Sequence, residues 1–164
     1  MIPDPATPAA TPSFALAYMH QDCPMTLRQG LAEYHAMIPD LVQEAALTDD
    51  ALDLFHHHDV AHVVFGCDTS IRHEAMVDTW TVFGTDVGVG EYLAYLKVPE
   101  AREVLEDAGY LKITWLSGLA VPAVLRVVRA SRRMTKKWPW RDHDAFLDRP
   151  LREIREEFGI ELVP

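Results

Sequence analysis

A chain of 164 residues is one ordinary domain's worth, and 49% hydrophobic with 24% charged residues rules out wholesale disorder. The formal charge of −10 speaks against general nucleic-acid binding, which needs a basic face. Two cysteines, Cys23 and Cys67, with no CxxC, exclude a disulfide framework and an all-cysteine zinc site, point to a reducing compartment, and leave any metal to histidine and carboxylate.

Residues 1 to 13, with four prolines among Ala and Thr, read as a disordered tail, and residues 14 to 164 as a single domain. Apolar residues at helical spacing (Leu27, Leu31, Tyr34, Ile38) predict a helix from about Met25 to Ile38, ended by Pro39. A second helix is predicted from a Thr48 cap through Phe65, stopped by Gly66 in the left-handed conformation. Ser70 is placed to cap a third helix running to about Phe83, with a glycine-rich turn over Thr85 to Gly90. Pro99 and Gly109 frame a short helix of Glu100 to Ala108, and Leu111 to Met134 reads as a long helix bent at Pro122. Pro150 and Gly159 frame the last. β-branched alternation is scarce, so the expected fold is all-α, a bundle of six to seven helices.

The segment His56-His57-His58-Asp59-Val60-Ala61-His62, followed by Glu74, carries the chemistry. On a helix His58 and His62 stand one above the other, and the stripe Ala51, Phe55, His58, His62, Phe65 turns both inward. Glu74, just past the Gly66 reversal, swings back toward the same point, and it lacks the Ser or Thr partner of a capping box because Ile71 stands there. Two imidazoles and one or two carboxylates suit Zn²⁺, Fe²⁺, Mn²⁺ or Co²⁺. Asp59 leaves the helix about 100° from His58, so ligand, orienting group and catalytic base all stay open to it. His56, His57 and His73 read as exposed, as does Asp78, four residues past Glu74. His143-Asp144 repeats the dipeptide without a second histidine at ligand spacing and reads as chance.

The ungapped pattern His-Asp-x-x-His-x11-Glu, met by His58, Asp59, His62 and Glu74, resembles the metal-site signature of the Coq4 family of ubiquinone-biosynthesis proteins. Thr26-Leu27 before a helix, and Arg149-Pro150-Leu151-Arg152-Glu153-Ile154-Arg155 followed by Phe158-Gly159-Ile160, are similar to the family's other segments. The resemblance implies an all-α protein with one divalent metal, zinc foremost, held by His58, Asp59, His62 and Glu74 between two consecutive helices. It further implies action on a prenylated or otherwise lipophilic aromatic acid, with loss of the C1 carboxylate and gain of a hydroxyl, Asp59 being the expected catalytic group. Two alternatives are a non-catalytic lipid-binding scaffold organising a biosynthetic complex and an HD-type metal phosphohydrolase.

From Lys112 to Arg141 there are eight Lys+Arg and no acid, leaving −18 on the other 134 residues. With the apolar run Ile113 to Leu125 and Trp138 and Trp140 beyond, this stretch reads as an interfacial surface for anionic lipid. No targeting segment is legible: the first 27 residues lack Lys and Arg, and the apolar run is too short to span a bilayer. The expected location is the cytoplasm, peripheral at the inner face of the membrane. Other biosynthetic enzymes and a second copy of the chain are the expected protein partners.

Overall fold

The computed structural model describes residues 16–38, 49–95 and 121–164. Among these residues there are six α-helices, two 3-10 turns and no strand: α1 (Leu27–Met37), α2 (Asp49–Val64), α3 (Ile71–Gly84), α4 (Val89–Tyr95), α5 (Val121–Ser131) and α6 (Leu151–Phe158), with turns at Ala17–Met19 and His143–Phe146. The expected all-α class holds. The tail of residues 1 to 13, the Thr48 cap, the helix of Glu100 to Ala108 and the first half of the Leu111 to Met134 helix lie outside the described residues.

α1 starts where the sequence predicts, because Thr26 and Gln29 form a reciprocal capping box. The same residues join the C-terminal segment: the Leu27 amide donates to the Arg149 carbonyl at 3.0 Å and the Leu151 amide to the Met25 carbonyl at 2.8 Å. The two short motifs on either side of the chain therefore pair with one another in the backbone.

α2 ends in a Schellman motif, in which Cys67 N–H bonds the His62 carbonyl at 2.8 Å and Gly66 N–H the Val63 carbonyl at 3.4 Å. Gly66 has φ +66°, and a Cβ there would stand 2.8 Å from Leu162, so glycine is required on two grounds. Ser70 begins α3, but its side chain makes no capping bond; its amide instead bonds the Asp68 carboxylate at 2.8 Å. α6 closes at Gly159 as predicted. Two boundaries differ from expectation. The segment read as a turn to Gly90 already enters α4 at Val89, and the described part of the long helix stops at Ser131 rather than Met134.

α2 is the hub, contacting α1, α3 and α6. The sequence predicts one apolar stripe, whereas Val60 to Phe65 is buried around its whole circumference, because helices cover it on several sides. The Phe65 ring lies parallel to Trp80 of α3, centroids 4.6 Å apart. α1 comes close because Gly30 faces Val63, where a Cβ would be 2.6 Å from the Val63 methyl.

Arg155 fixes this hub. Its side chain is fully buried, has no carboxylate partner among the described residues, and donates from its guanidinium to four carbonyls: Val64 at 2.9 Å, Val63 at 2.8 Å, His20 at 2.7 Å and Tyr18 at 2.6 Å. Two of these carbonyls, Val63 and Val64, lie at the C-terminus of α2, where the helix dipole favours a cation. Burial lowers its pKa to about 10, which still leaves it charged at neutral pH.

α5 lays Ala123, Val127 and Ala130 inward and leaves Val121 and Leu125 exposed. Several cations of the basic segment have internal partners: Arg133 with Glu161, Lys136 with Glu157, and Arg141 with Glu91. No helix of the described residues is long and apolar enough to cross a membrane.

Candidate metal centre

The α2–α3 junction brings His58, His62 and Glu74 together, with one ligand atom from each lying within 4.8 Å of the others. His62 sits in the last turn of α2 and Glu74 in the first turn of α3, so the Gly66 reversal sets their distance. The trio could hold a metal ion.

His62 is fully buried. Its Nδ1 lies 3.3 Å from the Cys67 carbonyl, which can only accept, so Nδ1 carries the proton and Nε2 presents a lone pair. Nε2 is buried with no hydrogen-bond partner, and Glu74 Oε1 stands 3.5 Å from it. Two donors each bonded at about 2.0–2.1 Å to one tetrahedral ion are about 3.3 Å apart, so this spacing fits a shared cation. The Tyr34 ring of α1 stacks on the His62 imidazole, centroids 5.0 Å apart, and holds its plane.

His58 is partly exposed and meets a residue the sequence reading set aside as exposed. Asp78 Oδ1 lies 3.5 Å from His58 Nε2 and accepts a 2.6 Å hydrogen bond from the buried Tyr92 hydroxyl of α4. Burial opposes charge on both groups. The His58–Asp78 interaction outweighs it, raising the imidazole and lowering the carboxyl pKa. Burial and the neighbouring Asp78 charge push the Tyr92 hydroxyl well above its usual value, so it remains a donor. The spacing of four between Glu74 and Asp78 was the signal available for this residue.

Asp59 is not among the three residues drawn together. Its Oδ2 is 2.9 Å from His35 Nε2. Its departure angle of about 100° from His58 turns it toward α1, where it meets His35, whose ring lies beside the Tyr34 ring that stacks on His62.

Of the remaining histidines His56 is exposed as expected, whereas His57 and His73 differ. His57 is buried, with Nε2 3.2 Å from Asp53, and His73 Nδ1 accepts from the Asp68 amide at 3.0 Å. His143-Asp144 does have a histidine at ligand distance, His56, but it comes from α2 and not from nearby sequence.

No protein-family model, curated protein or solved structure matches the chain.

Proposed function

We propose that His58, His62 and Glu74 hold one divalent metal, zinc foremost, and that the chain is a Coq4-like protein acting on a lipophilic aromatic acid. The carrying observation is the fully buried His62 Nε2, unpartnered and facing Glu74. A buried polar atom without a partner is costly, and a cation between these donors supplies one. Three protein donors leave a coordination position open, the arrangement of catalytic rather than closed structural sites.

Two neutral imidazoles and one carboxylate leave a divalent ion with a single net positive charge, which one substrate carboxylate neutralises. When bound, the metal supplies Lewis-acid stabilisation of that carboxylate and of charge developing on the ring. The Cys67 carbonyl keeps the proton on Nδ1 of His62, the Tyr34 ring stacked on it holds the imidazole in place, and the Asp78–Tyr92 pair offers a proton-handling group beside His58. The reaction the motif resemblance favours is loss of the ring carboxylate. Incubation of the metal-loaded protein with a prenylated hydroxybenzoic acid tests it: release of CO₂ by the wild type and none by His62→Ala supports the reading, and equal release by both overturns it.

A scaffold role is the second reading, favoured by Asp78, whose position against His58 makes it the side chain able to close the ion as a fourth ligand. Asp78→Asn would then release the metal, whereas in an enzyme it leaves the metal and alters turnover. The phosphohydrolase reading finds no support near the trio: Arg72, the basic residue nearest Glu74 in sequence, donates to the Pro164 main-chain oxygen at 2.6 Å. Membrane contact through α5 and the following loop remains part of the proposal, carried by exposed Val121 and Leu125 beside Arg126 and Arg129. Salt-sensitive sedimentation with anionic but not neutral vesicles would support it.

A further inference from the structure

We propose a second, exchangeable metal site on the opposite side of α2, formed by His56, His143 and Asp144. It rests on residues that the first site does not use. One ligand atom from each of the three lies within 4.8 Å of the others. Positions 56 and 58 are about 200° apart around a helix, so His56 faces away from His58. It meets the 3-10 turn His143–Phe146, which the chain brings back from the C-terminal side.

His143 gives the site its direction. Only 1% of its surface is exposed, and its Nδ1 lies 3.1 Å from the Trp140 carbonyl. That oxygen can only accept, so the proton belongs to Nδ1 and Nε2 presents its lone pair. Nε2 is buried without a hydrogen-bond partner and stands 3.9 Å from Asp144 Oδ1, too far to bond it and near enough to share an ion. A carbonyl-oriented imidazole with a free second nitrogen is how ligating histidines are commonly held. The His56 ring completes the set, its centroid 5.0 Å from that of His143.

The donors select the ion. Two imidazoles and one carboxylate suit Zn²⁺, Ni²⁺, Co²⁺ or Cu²⁺ and disfavour Mg²⁺ and Ca²⁺, which take oxygen ligands. His56 and Asp144 are exposed, so water completes the coordination and reaches the ion directly. An ion there exchanges faster than one held against the buried His62. Once bound, it ties α2 to the loop that carries Trp138 and Trp140.

Zn²⁺ titration followed by native mass spectrometry tests the site on the whole chain. The wild type is expected to take up two ions, one of which a mild chelator removes. His56→Ala and Asp144→Asn change exposed side chains and should leave the fold intact. Each should abolish or weaken the second ion at least tenfold and leave the first in place. His62→Ala should show the reverse pattern, losing the first ion and keeping the second. Titrations of His56→Ala and Asp144→Asn that match the wild type overturn the second site, whatever becomes of the first. A single ion lost in His56→Ala but kept in His62→Ala overturns the α2–α3 centre and leaves this one standing.

Discussion

Two fully buried polar side chains, Arg155 and His62, meet the C-terminal end of α2, and they are treated differently. Four carbonyls answer Arg155, so among the described residues its charge rests inside the protein on carbonyl oxygens alone, as a fastening. His62 has one nitrogen answered and one left open toward Glu74. Burial is the same for both, so burial does not separate structural from functional polar groups. What distinguishes these two is the hydrogen bonding: four bonds to Arg155, and one nitrogen of His62 left without a partner.

That contrast sets the expected outcomes. His62→Ala should remove the tightly bound ion altogether, as read by elemental analysis after dialysis. Acid should do the same in the wild type: protons compete for the imidazole lone pairs, so occupancy falls toward acid pH, while Arg155 stays charged throughout. A site occupied equally at pH 5 and pH 8 would mean that the ion lies elsewhere.

Arg155→Met should leave the donor residues untouched and strike stability. Four carbonyls lose charge-assisted bonds, against which Met returns some apolar burial, for a net loss of roughly 3–5 kcal/mol, read from the urea midpoint at unchanged slope. A loss below about 1 kcal/mol would show that water can replace the guanidinium.

Glu74→Gln keeps shape and removes the anionic donor, so Zn²⁺ affinity in a competitive chelator titration should fall about 100-fold or more. Asp59→Asn should be milder, about tenfold, because Asp59 bonds His35 and is not one of the three gathered donors. The accompanying change should be a loosened Tyr34–His62 stack, seen as altered tyrosine near-ultraviolet circular dichroism. If Asp59→Asn weakens the metal more than Glu74→Gln, Asp59 is a ligand and the apposition with His35 opens on binding.

The parts of the site legible in the sequence are those fixed within one or two turns of helix. His58 and His62 follow from the spacing of four, and Glu74 from the Gly66 reversal, because both depend on local backbone geometry alone. The helix start at Thr26 and the stops at Gly66 and Gly159 are local for the same reason. Asp59, Asp78 and His143 escape such reading, since their roles depend on α1, on α4 and on α2 respectively, reached across tertiary contacts. Arg155 was named only as part of a similar segment, and nothing near it in sequence announces that its partners are Tyr18, His20, Val63 and Val64. α4 hides in a glycine-rich stretch where propensity argues against a helix and where Tyr92, bonded to Asp78, gives a tertiary anchor instead.

The pairing of Met25–Leu27 with Arg149–Leu151 also bears on how the protein is made. A ribosome has supplied all three donors of the α2–α3 centre by residue 74, yet the backbone partner of α1 and the Arg155 clamp on α2 come some 75 to 80 residues later. During synthesis the histidines are therefore exposed on helices that lack their fastening, free to take metal in incomplete sets. The finished geometry needs residues 149–155 to close against α1 and α2, so nascent chains arrested before Arg149 should bind Zn²⁺ loosely even though His58, His62 and Glu74 have all been made.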